Sequence, residues 1–207
     1  MRLALLLLAF AGTALADDLA PVREWIARQN TITSIASDFT QTRTLRTLRD
    51  PVVAHGKFWF RAPGSFRWQL GDPPKLLVLG DDRAVLTIQP AKQTAERTAT
   101  TRGFDFLQFP FAADFAAFQK RFEVLSVRTG DGRCHLEILP REAKSRRFLE
   151  KIALDFDLAS GRLLGFKVLT REGSAVRTEF TNTRVNVPID PAIFHFDLTG
   201  YRVRDGK

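Results

Sequence analysis

Cysteine and histidine, the side chains that most often bind zinc, are rare in this sequence. Its 207 residues include one cysteine, Cys134, and three widely separated histidines, His55, His135 and His195. Zinc sites use several such ligands at short, regular spacings, and a lone cysteine has no partner for an internal disulfide. Cys134 alternates with apolar residues, which favours a buried side chain. The sequence therefore predicts no metal site, no disulfide and no cofactor.

Asp155 and Asp157 are a carboxylate pair that could act as general acid and base. In a strand they share the solvent-facing side, whereas such chemistry needs a cleft that excludes water and separates the two pKa values. The sequence contains no nucleophile elbow, phosphate loop, His-Glu-x-x-His helix or Rossmann glycine run. We therefore predict no catalytic residues and no enzyme, and an exported hydrolase is the weakest of the functions considered.

Basic residues outnumber acidic ones along the whole chain. The 31 Lys and Arg against 23 Asp and Glu give a net charge of +8 at pH 7. This excess favours anionic surfaces, either of a membrane or of a protein partner. Strands in which arginines lie near Trp59 and Trp68 also resemble a sheet that binds oligonucleotides. The N-terminal export signal argues against this function, because it directs the chain to a compartment without nucleic acid.

The N-terminal segment, residues 1–16, has the pattern of a cleaved signal peptide. Arg2 supplies a positive charge, an apolar run follows, and Ala14-Leu15-Ala16 forms a small-x-small cleavage site. The run is too short to span a bilayer, which takes about 20 apolar residues. We predict an exported mature chain that forms one domain over residues 17–207.

Hydrophobic spacing predicts one helix followed by many strands. From Leu19 to Ile35 apolar residues recur at three- and four-residue steps, as in an amphipathic helix that packs on a core or lies on a membrane surface. After Ser37 the period becomes two, which is typical of strands with one buried face. Eleven strands are predicted: 37–47, 53–61, 65–70, 75–80, 83–89, 92–98, 121–129, 133–139, 149–158, 162–170 and 174–183. Such a series favours a highly curved antiparallel sheet or barrel.

The period of two also assigns side chains to the two faces of the sheet. Phe58 and Phe60 point away from Lys57 and Trp59. We predict that one set of aromatic side chains lines the apolar inside of the curved sheet: Phe58, Phe60, Phe66, Trp68, Phe156 and Phe166.

A phenylalanine-rich segment, residues 102–120, interrupts the strands. Its spacing predicts two short helices, 103–109 and 112–120. Six phenylalanines in fifteen residues exceed what a short helix needs to dock on a sheet, so we predict a lid over an apolar opening. The predicted lid residues are Phe104, Phe106, Leu107, Phe111 and Phe115. A buried helical plug without a ligand explains the same composition.

Several short motifs occur in an order that resembles a known family. They are Phe39-Thr40-Gln41, the run from Gly56 to Pro63, Phe66-Arg67-Trp68, the segment from Pro74 to Asp82 and the closing Phe194-His195-Phe196. Together with the signal peptide and the phenylalanine-rich segment, they are similar to the periplasmic outer-membrane lipoprotein carriers of the LolA type. The resemblance covers nearly the whole mature chain.

The resemblance implies a fold and a function. The fold is mainly β with a few helices: an unclosed antiparallel β-barrel of about eleven strands with an α-helical lid over an apolar cavity. The function is that of a monomeric, non-enzymatic periplasmic carrier that binds the acyl chains of lipoproteins and shuttles them from the inner to the outer membrane. The implied partners are acylated lipoproteins or other lipids, an inner-membrane exporter, an outer-membrane receptor and, transiently, a membrane surface.

One position departs from the family pattern Gly-x-Leu-Trp-x-x-Arg-Pro, in which the arginine before the proline is important for function. This chain has Ala62 there, and Arg61 faces away from the inner aromatic residues. A LolA-like paralogue that carries another acyl or polyene lipid is therefore an alternative. A domain that binds an envelope component and no lipid is another. We also predict a basic docking rim at the mouth, formed by Arg43, Arg61 and Arg67.

Overall fold

The computed structural model of the protein describes residues 19–99 and 114–206. The predicted signal peptide and the predicted helix 103–109 lie outside these residues. Within them the fold is mainly β, with three α-helices and one sheet of twelve strands. No helix in the described stretches is long and apolar enough to cross a bilayer.

Helix α1 (Ala20–Gln29) precedes the sheet. Its buried face repeats at three- and four-residue steps and consists of Val22, Trp25, Ile26 and Gln29. The helix is shorter than the predicted span 19–35. It stops at Asn30 because the β-branched run 31–33 favours an extended backbone over a further helical turn.

All eleven predicted strands are present, with ends displaced by no more than three residues. A twelfth, short strand follows near the end of the chain. The strands are β1 (Ser34–Thr44), β2 (Val52–Arg61), β3 (Ser65–Leu70), β4 (Leu76–Gly80), β5 (Ala84–Gln89), β6 (Thr94–Ala99), β7 (Phe122–Gly130), β8 (Arg133–Pro140), β9 (Leu149–Asp157), β10 (Leu163–Thr170), β11 (Ala175–Val185) and β12 (Arg202–Asp205).

The strand order is β12-β6-β5-β4-β3-β2-β1-β11-β10-β9-β8-β7. Every neighbouring pair is antiparallel except β12 and β6, which are parallel. Pairing of β1 with β11 joins two meanders, β1–β6 and β7–β11, and the described sheet ends at β12 on one side and β7 on the other. The predicted unclosed β-barrel with a few helices is thus confirmed.

Two further helices and two 3₁₀ turns complete the described fold. Helix α2 (Phe115–Arg121) is capped at its N-terminus by Asp114, whose carboxylate accepts a hydrogen bond from the Ala117 backbone N–H at 2.7 Å. It corresponds to the predicted helix 112–120. Helix α3 (Ala143–Phe148) was not predicted, because no apolar period marks it. The 3₁₀ turns are Pro90–Lys92 and Pro191–Phe194.

The strands end at two opposite rims of the sheet. One rim carries the β1–β2 turn, the β10–β11 turn and α3, and we call it the α3 rim. The opposite rim carries the β2–β3, β4–β5, β7–β8 and β9–β10 turns.

Candidate functional site

The inner face of the sheet has two halves, and the first lies beneath α1. Its buried side chains, which we call the closed core, are Val22, Trp25, Ile26, Phe118, Phe122, Cys134, Leu136, Ile138, Ile152, Leu154 and Phe156. Trp25 of α1 stacks on Phe156 with ring centroids 4.7 Å apart. Its indole N–H donates to the Gly161 carbonyl at 3.0 Å. Because helix, sheet and loop all contribute, this half is a sealed core.

The second half of the inner face is built from stacked aromatic rings. The rings come from β1, β2, β3, β10 and β11, and we call them the aromatic patch: Phe39, Phe58, Trp68, Phe166 and Phe180. Phe39 and Trp68 stack with centroids 3.9 Å apart, and Phe180 lies 6.0 to 6.3 Å from four rings of the patch. Phe58, Phe166 and Phe180 are only half-buried. The patch therefore offers ring surface that the described protein does not cover completely.

Glycines set how closely these rings approach the backbone. Gly56 of β2 pairs with Phe39 of β1, and a Cβ at position 56 would overlap the Phe39 ring and the Gln69 carbonyl. Gly80 of β4 pairs with Phe66, and a Cβ there would overlap the Phe66 ring. The missing side chains let both rings lie flat across the neighbouring strand. This packing holds Phe39 against Trp68.

A buried polar pair borders the patch on β1 and β11. Gln41 and Thr178 are both buried, and the Gln41 amide donates to the Thr178 hydroxyl at 3.5 Å. Gln41 also accepts a hydrogen bond from Nε of Arg43 at 2.8 Å. The inner face thus changes from apolar to polar toward the α3 rim.

The structure brings together most of the aromatic residues predicted for the inner face. Phe58, Phe60, Phe66, Trp68 and Phe166 share one cluster, whereas Phe156 belongs to the closed core. Phe166 touches both. Phe39 and Phe180 were missed as site residues. The period of two could have found them, because Phe39 lies on the same face of β1 as Gln41, and Phe180 lies on the same face of β11 as Thr178.

One predicted lid residue, Phe115, lies within the described residues. It begins α2, is half-buried, and stacks with Phe118 at 6.2 Å between centroids. The Arg23 guanidinium of α1 lies 4.6 Å from its ring centroid. Phe115 therefore packs at the edge of the closed core. Phe104, Phe106, Leu107 and Phe111 lie outside the described residues.

The three arginines predicted to form a docking rim do not come together. Arg61 lies with its guanidinium 5.1 Å from the Phe194 ring centroid, at the opposite rim from Arg43. Arg67 donates from Nη1 to the Ile193 carbonyl at 2.9 Å, on the outer face. Burial lowers the pKa of its guanidinium. Arg61 and Arg67 thus contact the C-terminal segment, and of these three arginines Arg43 is the one that is exposed on the α3 rim.

Polar side chains cluster on the outer face of β8 and β9. His135 lies with Nδ1 2.7 Å from Asp155, and Lys151 donates to Glu137 at 2.7 Å. That hydrogen bond is the main cause that lowers the pKa of the Glu137 carboxyl. No group of three or more His, Cys, Asp or Glu side chains in residues 19–99 and 114–206 is arranged to hold a metal ion.

Comparison with known proteins identifies the family. The sequence profile described as "Outer membrane lipoprotein carrier protein LolA" matches residues 30–197, which include the whole aromatic patch and all of the closed core except the α1 residues Val22, Trp25 and Ile26. The chain belongs to the LolA family. Phe39, Gly56 and Trp68, which build the aromatic patch, thus lie within the LolA match.

Relatives within the LolA family are distant in sequence but similar in extent. An outer-membrane lipoprotein carrier protein of Bordetella avium is 29% identical over 93% of this chain and 90% of its own length. The carrier protein of the same name from Chromohalobacter salexigens is 27% identical over 95% of this chain and 89% of its own. These matches extend over almost the whole chain.

Two solved structures have a fold similar to that of this chain. An uncharacterized conserved protein from Thermus thermophilus superposes with a TM-score of 0.56 at 9% identity, covering 89% of this chain and 99% of that one. A putative outer membrane lipoprotein-sorting protein domain from Vibrio parahaemolyticus gives a TM-score of 0.51 at 13% identity, covering 85% and 95%. At such identities the likeness concerns the fold alone.

Proposed function

We propose that this protein is a periplasmic carrier that binds the acyl chains of lipoproteins on its aromatic patch and shuttles them from the inner to the outer membrane. The observation that supports this most directly is the patch itself. Five rings meet on the inner face of the sheet, and three of them remain half-exposed. Membership of the LolA family, whose profile is described as a lipoprotein carrier, supports the same function.

The physical reason for such a carrier is the cost of exposing acyl chains to water. Each methylene costs roughly 0.8 kcal/mol to expose, so a lipoprotein with several acyl chains does not cross an aqueous compartment unaided. Phenylalanine and tryptophan rings provide a large apolar contact area. Rings that are already half-buried without cargo bury only part of their surface when an acyl chain covers them, so the gain from each ring is moderate and the cargo can leave again.

The transport cycle needs two partner proteins, one that loads the carrier and one that unloads it. We propose an inner-membrane exporter that loads the mature chain, residues 17–207 after removal of the signal peptide, and an outer-membrane receptor that accepts the cargo. Such a carrier acts as a monomer and performs no catalysis. The lid that the sequence indicates, with Phe104, Phe106, Leu107, Phe111 and Phe115, stays a prediction.

A binding experiment tests the acyl site. A fluorescent fatty acid is titrated into the wild type and into the variants Phe58→Ala and Phe180→Ala. Each removes a half-buried ring, and we expect about a tenfold loss of affinity, as the area of a lost aromatic contact suggests. Phe194→Ala is the matched control, because Phe194 is equally half-buried but lies against Arg61 at the C-terminal segment. Equal losses in all three variants would contradict a site on the inner face.

A carrier of another acyl lipid is the second candidate, and one observation favours it. The arginine that precedes proline in the family pattern is Ala62 here, and Arg61 is engaged with Phe194. No cation therefore occupies the family position. Native mass spectrometry of protein purified from its own cell envelope separates the two candidates. Co-purified lipoprotein supports the first, and a free lipid supports the second.

A further inference from the structure

The β1–β2 turn forms an exposed finger on the α3 rim. Residues 43–53 are all exposed, in an unbroken run. On one side the last pair with β11 is Thr44 with Ala175, and on the other the last pair of β2 with β3 is Gly56 with Leu70. The hairpin therefore extends beyond both neighbouring strands, which explains why its side chains reach solvent.

The finger combines aliphatic and cationic side chains. Leu45, Leu48, Val52 and Val53 are 36%, 48%, 47% and 56% exposed. Three arginines alternate with them, namely Arg43, Arg46 and Arg49. Arg46 and Arg49 have no hydrogen-bond or ion-pair partner in the described residues, so their charges are free to meet a ligand.

Helix α3 presents the same combination on the same rim. Phe148, its last residue, is 70% exposed, and Lys144 and Arg147 beside it are exposed as well. The β10–β11 turn connects the two features. Arg171 of this turn donates from its backbone N–H to the Phe148 carbonyl at 2.9 Å, and the strand after the turn pairs with the finger.

Charge and apolar surface both concentrate on this rim. The segments 43–53, 141–148 and 171–174, together with the β3–β4 turn 71–75 and the β5–β6 turn 90–93 of the same rim, carry ten basic and four acidic side chains, a net charge of +6. The turns 61–65, 81–83, 130–133 and 158–162 of the opposite rim carry four and three, a net charge of +1. Five of the eight large apolar side chains exposed in the described residues lie on the α3 rim: Leu45, Leu48, Val52, Val53 and Phe148.

We propose that the α3 rim docks on an anionic bilayer surface, with the finger and Phe148 inserted between the headgroups. Protruding aliphatic side chains suit the headgroup region, and arginines can keep their charge at the phosphates while their stems lie along apolar surface. A protein partner is disfavoured because the finger extends beyond its neighbouring strands and, in the described segments 43–53, 141–148 and 171–174, Phe148 is the only aromatic side chain, whereas protein interfaces centre on aromatic anchors in pockets. The docking does not depend on acyl cargo.

Vesicle flotation tests the proposal. Wild-type protein is expected to float with vesicles of phosphatidylglycerol and phosphatidylcholine, but not with phosphatidylcholine alone, and to be released at about 0.5 M salt, where screening is strong. The variant Arg46→Gln/Arg49→Gln should bind anionic vesicles at least about tenfold more weakly, since each surface arginine contributes roughly fivefold. Leu45→Ser/Leu48→Ser and Phe148→Ser should each lose about tenfold.

Strand β12 supplies the matched control, because Arg202, Val203 and Arg204 are equally exposed but belong to an edge strand. Arg202→Gln/Arg204→Gln and Val203→Ser should retain binding. All these side chains lie on the surface, so the melting temperature should not change. No binding of the wild type to anionic vesicles, or equal losses in rim and β12 variants, would overturn the proposal, while the acyl-probe titration would be unaffected.

A fluorescent label gives a second measurement. The native Cys134 is fully buried, so a cysteine introduced by Leu48→Cys takes an environment-sensitive dye selectively. We expect its emission to shift to the blue on anionic vesicles, and the emission of a label at Val203→Cys to stay unchanged. The same shift at both positions, or at neither, would show that the finger does not enter the headgroup region.

Discussion

The two halves of the inner face are built from the same sheet but differ in how they are covered. The closed core packs aliphatic side chains of β8 and β9 beneath α1 and α2, and nearly all of them are 0 to 2% exposed. The aromatic patch relies on rings that stack on one another, and three of its five members stay half-buried. The closed core is thus the more completely buried half, and the aromatic patch is the half on which we propose that the ligand binds.

The largest expected difference between the closed core and the aromatic patch is in the reactivity of a thiol placed in each. Burial, and then the nearby Asp155 charge, raises the pKa of the Cys134 thiol to about 11. At pH 8 a thiol reagent should therefore react only after global unfolding, at least about a thousandfold more slowly than an exposed thiol. Phe58→Cys in a Cys134→Ala background should react far faster. Stopped-flow labelling measures both, and similar rates would remove the distinction between the halves.

Truncation of one ring in each half gives the next contrast. Phe156→Ala should lower the free energy of unfolding by about 3–5 kcal/mol, because it leaves a cavity under Trp25 that the closed core cannot fill. Phe180→Ala should cost about 1–2 kcal/mol, since its ring is already half-exposed. Urea denaturation measures both values. A larger cost at Phe180 would mean that the aromatic patch is the stabilising half.

A methyl group added at Gly56 tests how the patch is positioned. Gly56→Ala should destabilise the protein by about 1–3 kcal/mol, because the new Cβ displaces the Phe39 ring or the Gln69 backbone. It should also weaken binding of the fluorescent fatty acid. Gly130→Ala is the control, since nothing lies within 4 Å of a Cβ there. If the two variants unfold at the same urea concentration, the close approach of Phe39 is not needed.

The smallest expected effect concerns the charges behind the closed core. The Lys151 hydrogen bond lowers the pKa of Glu137 below its ordinary 4.5. The contribution of ionised Glu137 to the free energy of unfolding is therefore complete above pH 4.5 and is lost as the pH falls through the lowered pKa. Glu137→Gln should cost no more than about 1 kcal/mol at pH 7 and should reduce the loss of stability below pH 4.5. A pH series of thermal melts shows whether the slope becomes flatter.

The sequence predicted the strands well because each has one apolar face, which a period of two reveals. In β9, Ile152, Leu154 and Phe156 alternate with charged or small residues and are all buried. The pattern could not show which half of the inner face a residue joins. Phe156 and Phe166 follow the same alternation, yet only Phe166 reaches the aromatic patch, because β10 lies one strand closer to the seam between β1 and β11.

Elements whose side chains stay in solvent escaped prediction. All four residues of β12 are exposed, and its strand state depends on parallel pairing with β6, about a hundred residues earlier. Helix α3 ends in Phe148, which points into solvent rather than onto a core. The positions of Arg61 and Arg67 depend in the same way on contacts with residues 193 and 194. Such long-range contacts leave no local period in the sequence.

The seam between β1 and β11 has a consequence for how the chain folds. Ile35 pairs with Val185, so the two strands that hold the sheet together are separated by almost the whole domain. A chain that emerges N-terminus first can form the β1–β6 meander early, but β1 keeps an unpaired edge until β11 arrives. Pairing of strands so far apart in the sequence is slow. Until β11 arrives, the edge of β1 can pair with strands of other chains, and the neighbouring phenylalanines can contact them. Folding yield in the cell should therefore depend on holding chaperones more than the final stability would suggest.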